Sequence, residues 1–288
     1  MKRTLEIILA AGLALAGAVG GCRKEESYRH QMMPATSDSQ VVYSSRDPVR
    51  GNTALRLLDS KTGTEKLLLE GRGEYGSPCF GPDGKVYFIE HFALKRLSLD
   101  SRLVEEVEKG DVEVTFNELG ERFVVKVQSP EFDAEKGSIY VSKDGKEEQI
   151  LGTAGKNISA SGNMLATELY NNGDFIALWN RENGIWTKKN TIEGYRCPTI
   201  IAEGKYKENI IAIKNNDYFM LSPDGRIIAQ LTEDGNPKQK AAVDKAGRFY
   251  MPVKSKGNGT YESEVYKMES ANLDDLVKKY SEKYKNEK

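Results

Sequence analysis

At 288 residues, with 42 Lys+Arg against 43 Asp+Glu, the chain carries a formal net charge of −1, which excludes the basic excess of a nucleic-acid-binding protein. Charged residues at 30 % and hydrophobic ones at 39 % describe a solvated globular protein with a modest core, not a disordered one. The 27 glycines point to a fold with many tight turns.

Lys2 and Arg3 open the chain, and Ile7 to Gly21 is an unbroken run of apolar residues and glycine. At about 15 residues it falls short of the about 20 that a membrane-crossing helix needs. A basic start, a short apolar stretch and a small-residue end read as a secretory signal over residues 1–21. Val19-Gly20-Gly21-Cys22 resembles a bacterial lipobox, although Gly20 stands where Ala or Ser is commoner. The resemblance implies that Cys22 becomes the acylated (palmitate-bearing) first residue of a lipoprotein, with enough chains for stable anchoring. The expected location is extracytoplasmic and membrane-attached, periplasmic or at the cell surface. Residues 22–29 read as a tether, and Lys24-Glu25-Glu26 within it resembles the surface-export signal of some bacterial lipoproteins.

From residue 30 to 270 the pattern is β throughout. Ser37-Asp38-Ser39 precedes Val41-Val42-Tyr43, and Leu55-Arg56-Leu57-Leu58-Asp59 and Glu65-Lys66-Leu67-Leu68-Leu69 follow as further strands. In Ser77-Pro78-Cys79-Phe80-Gly81-Pro82-Asp83-Gly84-Lys85-Val86-Tyr87-Phe88, Pro presets φ, Asp bonds its own backbone and Gly takes a left-handed conformation, so two strands flank a turn. The same unit recurs before Phe123, Met164, Ile210 and Phe249. With Ser39, Gly84, Gly120, Gly162, Gly204 and Gly247 as markers, the period is about 42 residues, the length of one four-stranded propeller blade. Ser222-Pro223-Asp224-Gly225 falls at a different turn, between third and fourth strands. After Val265-Tyr266-Lys267-Met268, Leu273, Leu276, Val277 and Tyr280 fall at helical spacing with Asn272 as N-cap, so residues 271–288 predict a short helix and tail. The reading is an all-β, six-bladed propeller of four-stranded antiparallel blades with a short C-terminal helix.

Residues 77–88 resemble the repeat of the TolB-like (WD40-like) propeller family, and related repeats occur in the propeller domains of dipeptidyl-peptidase-IV-type enzymes. With the period included, the resemblance extends over nearly the whole mature chain. It is fair at 159–179, and 117–125 lacks the Pro-Asp-Gly. It implies protein partners at the cell envelope.

Second-to-third loops and blade-to-blade connections should share one face, where binding residues tend to sit. Candidates there are Arg46, Asp133, Asn172 and Asp217. Tyr75-Gly76-Ser77-Pro78 and Tyr195-Arg196-Cys197-Pro198 lead into opposite blades, so Tyr75 and Tyr195 are expected to flank the channel mouth, with Arg72 and Arg196 nearby; packing between blades is the alternative for both rings. The same opposition keeps Cys79 and Cys197 beyond disulfide reach, about 7 Å, as two buried free thiols. His30 and His91 are the only histidines. No metal spacing and no Gly-x-Ser-x-Gly elbow is present, and no cofactor is implied. A glycosidase would need two loop acids converging across a sugar. The balance favours a monomeric binding or scaffold module over a carbohydrate-binding or carbohydrate-degrading one.

Overall fold

The structure, a computed structural model, describes residues 34–46, 52–126, 138–143, 145–151, 155–170, 174–235, 239–254 and 266–281. Residues 1–33, with Cys22, and also Asp133 and Asn172 lie outside the described residues.

Blade 1 comprises β1 (Pro34–Ser37), β2 (Gln40–Arg46), β3 (Thr53–Asp59) and β4 (Glu65–Gly71). Blade 2 comprises β5 (Gly76–Phe80), β6 (Val86–Glu90), β7 (Ala93–Leu97) and β8 (Val104–Lys109). Blade 3 is β9 (Asp111–Phe116), β10 (Arg122–Lys126), β11 (Ser138–Lys143) and β12 (Lys146–Leu151), and blade 4 is β13 (Gly155–Ser161), β14 (Met164–Tyr170), β15 (Asp174–Glu182) and β16 (Ile185–Glu193). Blade 5 holds β17 (Arg196–Ile200), β18 (Ile210–Lys214), β19 (Asp217–Leu221) and β20 (Ile227–Gln230); blade 6 holds β21 (Ala242–Val243), β22 (Arg248–Lys254) and β23 (Tyr266–Asn272). Every sheet is an antiparallel meander in chain order. The first and third turns of each blade therefore lie on one face of the disc, and the second turns and blade connections on the other.

The strand chemistry follows radial position. The second strand of blade 2, Val86-Tyr87-Phe88-Ile89, is buried on both sides because neighbouring blades cover it. The outer strand β8 is charged, with no residue buried and half of them exposed. At the turn between β5 and β6, Gly84 takes φ 72°, and a Cβ on Gly81 would lie 2.3 Å from Tyr87 Cε2, so this turn admits no side chain there.

Apolar clusters fill every seam between neighbouring blades. Tyr75, in the connection leading into β5, meets Phe88 edge-on at 5.6 Å between centroids within the cluster that joins blades 1 and 2; Phe123 meets Trp186 between blades 3 and 4; Tyr218 meets Phe249 between blades 5 and 6. Aromatic pairs in this geometry add to the gain from burial. The ring closes where Tyr43 and Leu58 of blade 1 pack against Met268 of blade 6. Thr36 Oγ1 donates to the Val243 carbonyl at 2.8 Å, Lys245 pairs with Asp38 at 3.0 Å, and the Arg248 guanidinium donates to the Ser60 carbonyl. Among the described residues blade 6 has three strands, and helix α1 (Leu273–Tyr280) covers the blade 5–6 seam with Leu273 and Val277 buried. The Asn272 side chain caps it by accepting from Asp275 N, and Asp274, Asp275, Lys278 and Lys279 suit the helix dipole.

Candidate functional site: the central channel

The six innermost strands surround an axial cavity of about 150 Å³, below the about 300 Å³ at which small-molecule sites begin. Its wall is one residue from each blade at equivalent register: Ala35, Cys79, Thr115, Ser159, Thr199 and Ala242. Much of the hydroxyl chemistry joins blades. Thr199 Oγ1 donates to the Ala241 carbonyl at 2.9 Å, and Ser159 Oγ accepts from Ile200 N at 2.9 Å.

Two residues nearer the connection face, the wall becomes charged. Glu113 of β9 is buried. It accepts from Ile158 N at 2.7 Å and lies 3.7 Å from Lys240 Nζ, which also donates to the Ile158 carbonyl. Burial raises the Glu113 carboxyl above its ordinary value, while Lys240 and the backbone N–H groups of Ile158 and Asn157 oppose that rise. Behind this wall Glu168 accepts from Asn157 Nδ2 at 2.8 Å and Cys197 N at 2.9 Å, and pairs with Lys156 at 3.1 Å. β5, β13 and β17 each carry a register shift here, with Ser77, Asn157 and Cys197 at φ 43°, 53° and 52°. The carboxylates therefore hold irregular backbone that the sheet ladders leave unpaired.

Glu113 and Glu168 each have an ammonium and backbone donors, so among the described residues no free carboxylate pair faces across the axis. Among the described residues no group of three or more His, Cys, Asp or Glu is placed to hold a metal ion. Cys79 is buried, Cys197 partly so, and both are free thiols. Burial pushes each up to about 12, far from the thiolate that nucleophilic chemistry needs. In a Cys22→Ser protein, iodoacetamide at pH 8 should modify neither thiol while the chain is folded and both after denaturation without reductant. A mass spectrum showing modification of the folded protein would contradict this burial.

The proposed ligand residues fare differently. Arg46 ends β2, Arg72 is exposed between β4 and β5, Arg196 starts β17 and Asp217 starts β19, so all four come to the connection face. Arg196 Nη2 donates to Asn216 Oδ1 at 3.3 Å. Asp217 is occupied in ordering its own loop, accepting from Thr232 Oγ1 at 2.9 Å and from Asp234 N and Gly235 N at 3.2 and 3.3 Å. Tyr75 and Tyr195 pack between blades, the alternative given for both rings from the sequence. They are 8 % and 4 % exposed, and Tyr195 stands edge-on to Phe219 at 5.7 Å with Lys214 Nζ 5.0 Å from its centroid. Both rings belong to seam clusters, where a large ring gains from burial in an inter-blade cleft. Glu113, Lys240 and Glu168 were missed. A charge at a buried position of the alternation Val112-Glu113-Val114 is the signal that could have exposed the first.

No family model matches the chain, and no curated protein is significantly similar. Solved structures do match. A putative TolB from Agrobacterium tumefaciens is 13 % identical over 77 % of this chain and 85 % of that one, with TM-score 0.61. TolB from Acinetobacter baumannii is 18 % identical over 69 % of this chain and 53 % of that one, with TM-score 0.55. A gluconolactonase from Xanthomonas campestris is 12 % identical over 85 % and 88 %, with TM-score 0.61. Identities this low speak for architecture and not for activity; together with the six closed seams they show that this chain is a six-bladed β-propeller whose fold is shared with the TolB structures.

Proposed function

We propose that this protein is an exported lipoprotein, anchored through Cys22, whose propeller binds protein partners at the cell envelope. The carrying observation is the channel: the one wall carboxylate among the described residues, Glu113, is tied to Lys240 and to a backbone N–H group, which supports a structural rather than a catalytic role for it. The N-terminal signal run ending in Cys22 supports the location. Carbohydrate handling, the alternative, draws on the likeness to a gluconolactonase. Among the described residues no two carboxylates converge as glycoside hydrolysis requires, and a 150 Å³ cavity is small for a sugar with its hydrogen-bonding partners. Membrane fractionation of the full chain and a Cys22→Ser variant, followed by cross-linking in intact cells and mass spectrometry, tests the reading. Retention that depends on Cys22 and a reproducible envelope-protein adduct are expected. A C22S protein that stays in the membrane fraction, or binding only to envelope saccharide, would overturn it.

A further inference from the structure

Asp111, the first residue of β9, is 0 % exposed, and neither carboxyl oxygen has a hydrogen-bond partner among the described residues. A buried carboxyl in that condition is costly when neutral and far more so when charged. It follows Gly110, whose N–H donates to the Phe92 carbonyl of blade 2 at 2.7 Å, so it sits at the joint between blades 2 and 3 on the connection face.

Around it lies a closed set of charges. Glu108 of β8, in blade 2, bonds Arg122 Nη2 of β10 at 2.9 Å and also Lys126 Nζ of β10. Glu147 of β12 pairs with Lys126 at 2.8 Å and approaches Arg122 at 3.9 Å. Two carboxylates thus meet two cations, and Glu108 carries the bridge across the seam. Other charges on strands packed near β9 are engaged elsewhere: Glu90 of β6 with Lys95 of β7 at 2.5 Å, and Lys156 of β13 with Glu168. The set is balanced only while Asp111 is neutral. Once ionised, Asp111 becomes a third carboxylate competing for two cations, and the ions within its reach are those that hold Glu108 of the neighbouring blade.

We infer that the seam between blades 2 and 3 is a pH-responsive joint, closed while Asp111 holds its proton and loosened when the proton leaves. Burial, and after it the Glu108 charge, push the Asp111 carboxyl up to about 7 from its ordinary 3.8 against the pull of Lys126 and Arg122. A carboxyl raised on folding favours the closed form fully below its unfolded value. That preference falls as pH rises from about 4 to about 7 and is constant above. The joint lies on the face that carries Arg72 and the blade connections, so an exported protein, exposed to the pH of its surroundings, would have this face respond first.

Amide exchange followed by mass spectrometry at pH 5 and pH 8, corrected for intrinsic rates, reads the joint directly. Protection of peptides spanning residues 108–114 and 122–126 should fall by about tenfold or more between the two pH values, while residues 217–221 of blade 5 hold theirs. Asp111→Asn, a neutral isostere, should stay protected at both. Glu147→Gln removes one competing carboxylate and should shrink the fall. Flat protection in the unaltered chain, an equal fall in the Asp111→Asn variant, or a uniform loss over all blades would each overturn the inference.

Discussion

Replacing Lys240 by methionine should cost about 3–5 kcal/mol of stability, because it removes one partner of a buried pair and leaves the other charge behind. The side chains of Lys240 and Glu113 are 18 % and 11 % exposed, so water screens little of the loss. Methionine keeps the apolar length of lysine, which restricts the change to charge and to the bond donated to the Ile158 carbonyl. Adding Glu113→Gln should recover much of the cost, since the orphaned carboxylate is then gone while an acceptor for Ile158 N remains. Urea unfolding of the two single variants and the double closes the cycle. A loss below about 1 kcal/mol would mean that the pair behaves like an exposed salt bridge, and that the channel is wetter than its geometry indicates. Because the pair joins blades 3 and 6 across the axis, the result also reports whether the channel acts as a structural hub.

Tyr195→Ala should cost about 3–4 kcal/mol, in the range for deleting a buried aromatic ring. The ring is 4 % exposed, stands edge-on to Phe219, and packs in the seam with Ile176, Leu178 and Ile210. The hole would open between two sheets, each a separate four-stranded unit, so it can collapse only if one blade tilts. Thermal unfolding of the purified variant measures the loss, and partner capture by its folded fraction should be unchanged. An unaltered melting temperature with capture abolished would return Tyr195 to the channel mouth as a ligand residue.

The repeat was legible because its cause is local. Gly84, Gly120, Gly162, Gly204 and Gly247 all have φ between 52° and 83°, and a left-handed turn residue between two β-branched runs announces itself without reference to any other part of the chain. Each of these glycines, with Ser39, lies at the first turn of a blade. The C-terminal helix was readable for the same kind of reason, through Asn272 and the spacing of Leu273 and Val277. The separation of the two cysteines followed from the blade count alone.

The roles of individual polar and aromatic side chains were not legible in this way. Tyr75 and Tyr195 carry the same local pattern whether they face water or a seam; the neighbouring blade settles it. Glu113 meets Lys240, and Glu121, 1 % exposed, meets Arg181 at 2.6 Å, across separations that no periodicity records. Nothing local to Asp111, at the start of β9, signals that blade 2 closes over it. Backbone sterics act between adjacent residues and so are written along the chain. Burial and charge pairing depend on what the ring brings alongside, and they exist only once all six blades have closed.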